Sequence, residues 1–81
     1  MLVTVRLFAR LREIVGAPDV RVVVPESATV LDAWTSLAGR FPQLAAYAGS
    51  VSCAVNEDYA RMTAALKDGD EVAFLPPVSG G

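Results

Sequence analysis

Only one long stretch of this chain carries apolar residues at helical spacing. Val30, Trp34, Leu37 and Phe41 recur at i, i+4, i+7 and i+11 and make a single stripe. Thr29 stands where an N-cap belongs, with Asp32 three residues later in capping-box position. Gly39 and Pro42 mark the end, and residues 43–47 suit one further short helical turn. A lone amphipathic helix must bury its stripe against something, and the rest of the chain offers only strands. The arrangement this predicts is α+β, with one helix covering one face of one sheet.

The strands are read from alternation. Residues 2–9 place Val3, Val5 and Leu7 on one face and Thr4, Arg6 and Phe8 on the other. Residues 9–15 read as a short connection, 16–19 as a turn and 20–24 as a β-branched strand, so the first two strands form a hairpin. Residues 51–55 alternate as a third strand. Asn56-Glu57-Asp58 suits a tight turn, and residues 59–62 a short return strand. Leu66-Lys67-Asp68-Gly69-Asp70 has turn chemistry, and residues 71–75 make the last strand, ended by Pro76-Pro77. The first and last strands are then expected side by side and parallel, joined through the crossover that holds the helix.

At 81 residues the sequence reads as one domain with one small core and no deep internal site. Composition excludes several chemistries. The net charge of −2 leaves no basic excess for nucleic acid. No apolar run approaches a membrane span, and no charged segment followed by an apolar stretch and a cleavage site opens the sequence; a cytoplasmic protein is expected. With one cysteine and no histidine, a thiolate metal cluster, an internal disulfide and histidine-based hydrolysis are all excluded, and no metal is expected. Independent catalysis by this chain is therefore not expected.

The sequence finishes on Pro76-Pro77-Val78-Ser79-Gly80-Gly81. Two glycines without Cβ atoms can thread a slot that excludes side chains. The group presented there is the α-carboxylate of Gly81, which becomes an acyl donor only once activated, for example as an acyl-adenylate. The competing reading is an ordinary frayed terminus.

Four segments together resemble a known family. Phe8-Ala9-Arg10-Leu11-Arg12-Glu13, Ala54-Val55-Asn56, Asp68-Gly69-Asp70-Glu71-Val72-Ala73-Phe74 and the six-residue tail look like the MoaD-type small subunits of molybdopterin synthase. These are ubiquitin-like sulfur carriers with the β-grasp fold. The likeness spans the whole chain, and the opening Phe-Ala-x-Leu-Arg-Glu sets it apart from the thiamine sulfur carriers, which are usually shorter. The resemblance implies a mechanism. A MoeB-like enzyme uses ATP to adenylate Gly81, and a sulfur donor replaces AMP to leave a thiocarboxylate. The tail then enters a MoaE-like large subunit, in a complex with two copies of each, and gives its sulfur to a cyclic pyranopterin phosphate to build a dithiolene. The chain itself would bind no cofactor. Residues 76–81 would be the exposed reactive tail, with Val78 and Ser79 either lining the partner's channel beside Gly80 or serving as spacer. A ubiquitin-like modifier joined to lysines through Gly81, a sulfur carrier for another pathway such as thiamine synthesis and a plain interaction module are the competing readings.

Strand parity adds a docking surface. Phe8 lies opposite Val3, Val5 and Leu7, and Leu75 opposite Val72 and Phe74, so both point away from the helix on strands expected to be neighbours. Tyr59 extends that surface. Cys53, in phase with Val51 and Val55, reads as a small buried apolar residue and not as a sulfur relay. Asp68, Asp70 and Glu71 either meet basic groups on the activating enzyme or serve turn chemistry.

Overall fold

The computed structural model describes residues 1–77. In chain order the elements are β1 (Leu2–Leu7), α1 (Ala9–Val15), β2 (Asp19–Val23), α2 (Val30–Arg40), a 3-10 turn (Pro42–Tyr47), β3 (Ser52–Val55), β4 (Asp58–Ala60) and β5 (Glu71–Leu75). The strands form one sheet in the order β2-β1-β5-β3-β4. β1 pairs antiparallel with β2 and parallel with β5, which pairs antiparallel with β3, itself paired with β4. Parallel neighbours need a crossover, and the segment carrying α2 supplies it. One helix held across a mixed sheet whose first and last strands adjoin at the centre is the β-grasp, the ubiquitin-like fold expected from the sequence.

The core follows the predicted parity. Val3, Val5 and Leu7 of β1 and Val72 and Phe74 of β5 are buried, and register places Val5 beside Val72 and Leu7 beside Phe74. Above them α2 buries Val30, Ala33, Trp34 and Leu37. At about 25 cal/mol per Å² of apolar surface removed from water, each buried valine, leucine or phenylalanine among them contributes about 1.5–3 kcal/mol. The helix begins as predicted: the Thr29 N–H donates to the Asp32 carboxylate at 2.8 Å, closing a capping box. It ends at Arg40, because Pro42 cannot continue it. Phe41 is thus the C-cap and only half-buried.

Residues 9–15 correct the sequence reading. They form helix α1 and not a loop. Two turns are too few to set a period, only Leu11 is buried, and the N-cap Phe8 offers no capping side chain. Tertiary packing of Leu11 holds the helix, and Gly16 closes it at φ +83° by donating its N–H to the Arg12 carbonyl at 2.8 Å. Ala9 enters the helix at φ +50°, a left-handed conformation that side chains disfavour.

Two loops fix the far end of the sheet. The β3–β4 hairpin closes through Asn56 and Glu57, at φ +50° and +74°, the left-handed pair that a two-residue connection requires. The 66–70 turn places Gly69 at φ +86° and clamps the start of β1, with the Asp68 carboxylate accepting the Leu2 N–H at 2.7 Å. The Asp70 carboxylate accepts the Lys67 N–H at 2.8 Å and the Asn56 side-chain N–H at 3.0 Å. Those bonds pull its pKa below the ordinary aspartate value, the Asn56 bond most. Asp68 and Asp70 therefore perform the turn chemistry that their positions allowed.

Candidate functional site

The sheet's outer face, away from α2, holds the residues singled out for docking. One row of it runs Arg6–Ala73–Ala54–Tyr59 across β1, β5, β3 and β4. Two methyl groups thus sit between two long side chains. The next row toward the end of β5 holds Leu75, and Phe8 carries β1's parity on in extended conformation at φ −125°, ψ 152°. On the other side stand Glu71 and, from the hairpin, Glu57. Small residues flanked by large ones make a groove of about 250 Å³, floored by Ala54 and Ala73, walled by Phe8, Leu75 and Tyr59, and rimmed by Arg6, Glu57 and Glu71.

All three residues singled out for docking are therefore brought together. Continuous register through β1 and β5 rules out a bulge between them. Tyr59 is 85% exposed, while Phe8 and Leu75 are half-buried. An aromatic side chain left in water beside an apolar groove marks a surface that gains by being covered. The polar rim is ordered. Arg6 Nη1 lies 3.4 Å from Glu71 Oε1, and the guanidinium sits 5.6 Å from the Phe8 ring centroid, a cation–π geometry that holds the ring in place. Both charges are about half exposed, so the pair is worth at most about 1 kcal/mol; its effect is to orient the rim.

Sequence reasoning missed the alanine floor, Arg6 and Glu57. A signal for the floor existed, since Ala73 shares Leu75's parity and Ala54 falls on the face opposite Cys53. Yet only the strand order sets the two alanines side by side.

Cys53 lies on the inner face, buried, with its Sγ 3.1 Å from the Ala60 carbonyl oxygen. Burial pushes its thiol pKa up, so it is a protonated core group at neutral pH and a poor nucleophile. Among the described residues no set of three His, Cys, Asp or Glu side chains is arranged to hold a metal, and no helix is long and apolar enough to cross a membrane. Pro76 and Pro77 follow Leu75 directly, so the tail leaves from the end of the groove. Val78, Ser79, Gly80 and Gly81 lie outside the described residues.

Comparison with known proteins bears on the family and the fold. A model of the ThiS family matches residues 5–81. The chain is 38% identical over 79 residues to the molybdopterin synthase sulfur carrier subunit of Arabidopsis thaliana, covering 98% of this chain and 82% of that one. The crystal structure of small archaeal modifier protein 1 from Haloferax volcanii superposes with a TM-score of 0.87 at 34% identity, over 95% of this chain and 98% of that one. The complex of subunits 1 and 2 of molybdopterin-converting factor from Helicobacter pylori contains a chain that matches with a TM-score of 0.68 at 26% identity over the full length of both. By fold and sequence alike, the chain belongs to the ThiS family.

Proposed function

We propose that this chain is the sulfur carrier subunit of a molybdopterin synthase and that its reactive group is the Gly81 carboxylate. The observation that carries this reading is the near full-length likeness to proteins of that name, within a family match that runs through Gly81. A MoeB-like enzyme joins the carboxylate oxygen to the α-phosphorus of ATP and releases pyrophosphate. A donor delivering sulfur at the sulfide level then attacks the acyl carbon, the acyl–oxygen bond breaks to release AMP, a proton goes to solvent, and a thiocarboxylate remains. Sulfur is more polarisable than oxygen, so the thiocarboxylate is the better nucleophile toward a cyclic pyranopterin phosphate held by a MoaE-like large subunit. Each attack leaves a thioester whose acyl–sulfur bond is hydrolysed by water, returning the Gly81 carboxylate, and two such transfers complete a dithiolene. The carrier needs no catalytic side chain, which accords with the absence of histidine. Its own contributions are a glycine terminus slim enough to thread a channel and a groove at the tail's base to seat the large subunit. The Helicobacter pylori complex supports a two-subunit assembly, here with two copies of each chain.

A second reading, a protein modifier joined to lysines through Gly81, is favoured by the likeness to small archaeal modifier protein 1. Mass spectrometry of protein from sulfur-replete cells separates the two. A thiocarboxylate at Gly81 is expected. Lysine conjugates in its place support the modifier, and an unmodified carboxylate under all conditions defeats both. Deleting Gly81, or adding one residue after it, is expected to abolish molybdopterin formation, because the reacting carbonyl moves by about 3.5 Å per residue. Gly81→Ala keeps length and carboxylate but adds a Cβ, and is expected to impair the reaction at the partner's channel. A normal rate from the truncated or extended protein overturns the reading.

A further inference from the structure

The groove's rim is not electrically balanced. Arg6 and Glu71 compensate each other at 3.4 Å, and Arg6 is further occupied over the Phe8 ring. Glu57 rims the same groove and is exposed. Among the described residues it has no cationic group within the 4 Å of an ion pair. The hairpin that carries it is held by its neighbour. Asn56 donates its side-chain N–H to Asp70 at 3.0 Å and accepts the Glu71 N–H at 3.0 Å. Glu57 occupies φ +74° in a two-residue connection, a position where glycine is the favoured residue. Its side chain thus adds nothing to the hairpin's hydrogen bonding, while its backbone is in a conformation that a side chain opposes.

Covering the Ala54–Ala73 floor with a purely apolar surface would strip water from the Glu57 carboxylate with no compensating charge. We propose that Glu57 sets the specificity of the groove: the protein seated there presents an arginine or lysine side chain to Glu57, beside an apolar anchor on the alanine floor. This rests on the groove being the docking surface for the large subunit. The cation supplies the charge that Arg6, committed to Glu71, does not. The arrangement also disfavours partners that would bring an acidic group to that corner.

The test is a binding titration of the purified chain with its large subunit at low and high ionic strength. Glu57→Gln is expected to weaken binding five- to twentyfold at low salt, and because the pair is covered in the complex part of that difference is expected to persist at about 0.5 M salt. Glu57→Gly is expected to move stability and affinity in opposite directions. It removes the carboxylate and relieves the left-handed backbone, so its denaturation midpoint rises while its binding weakens as in Glu57→Gln. If Glu57→Gly binds like wild type, Glu57 is only a turn residue and the proposal fails. If both Glu57 variants bind like wild type while a folded Phe8→Asp/Leu75→Asp variant does not bind, the groove docks its partner by apolar contact alone, and the charge assignment is overturned with the docking surface intact. If that folded double variant also binds undiminished, the placement of the docking surface itself is wrong.

Discussion

Trp34 meets Phe74 edge to face, with ring centroids 4.9 Å apart and planes at 65°. The contact ties α2 to β5 one residue before Leu75, where the chain turns from core to groove wall and then to tail. Both rings are buried, so the pair anchors the base of the segment on which the proposed chemistry depends. Phe74→Ala or Trp34→Ala is expected to cost about 3–5 kcal/mol. For a domain this small that is a large share of a total of about 5–15 kcal/mol. Urea unfolding followed by Trp34 fluorescence checks the Phe74 variant, and circular dichroism the Trp34 variant.

Charge placed on the groove walls tests the docking surface. Phe8→Asp combined with Leu75→Asp is expected to leave the circular dichroism spectrum unchanged, because neither residue is fully buried. Co-purification with the large subunit should be lost. Retained co-purification by the folded variant would move the interface elsewhere.

Cys53→Ala is expected to keep full sulfur uptake at Gly81, since the thiol is buried, protonated and bonded to Ala60 on the inner face. Lost packing should lower stability by about 1 kcal/mol. Loss of sulfur uptake by a folded variant that is still adenylated would make Cys53 part of a relay.

Two left-handed positions in the β1–β2 connection predict opposite signs. Ala9 sits at φ +50° and Gly16 at φ +83°. Ala9→Gly is expected to raise stability by about 0.5 kcal/mol by relieving the backbone. Gly16→Ala is expected to lower it by about 1 kcal/mol. A Cβ added at Gly16 meets nothing within 4 Å, so that loss is purely conformational. Thermal denaturation of the two variants measures both.

The Asp70 turn predicts a pH dependence. Its folded pKa is lowered, chiefly by the Asn56 hydrogen bond and then by the Lys67 N–H. The stabilisation is thus fully present above the unfolded value of about 4 and is lost as pH falls through the lower folded value. Asp70→Asn should therefore be less stable than wild type at neutral pH, and the gap should close below about pH 4. Denaturant midpoints of both proteins across pH 3–7 are the measurement, and a gap that stays constant would remove Asp70 from the acid response.

The alternation of Val3, Val5 and Leu7, the stripe of α2 with its Thr29–Asp32 cap, and the proline stop after Leu75 were legible in the chain, because each is a local rule of period two, of 3.6, or of backbone chemistry. Parity also placed Phe8 and Leu75 on the outer face, since a strand's faces are set residue by residue without knowledge of its neighbours. Helix α1 was not legible: seven residues with one buried side chain and an uncapped start hold their shape through packing and not through propensity. The groove was decided only by tertiary structure. Ala54 and Ala73 are nineteen positions apart and become its floor because β3 pairs with β5 at that register. Glu57 and Arg6 reach the same rim because β1, β5, β3 and β4 stand in that order. Strand order depends on long-range pairing around a shared core, and no local pattern encodes which two small residues will meet across a sheet.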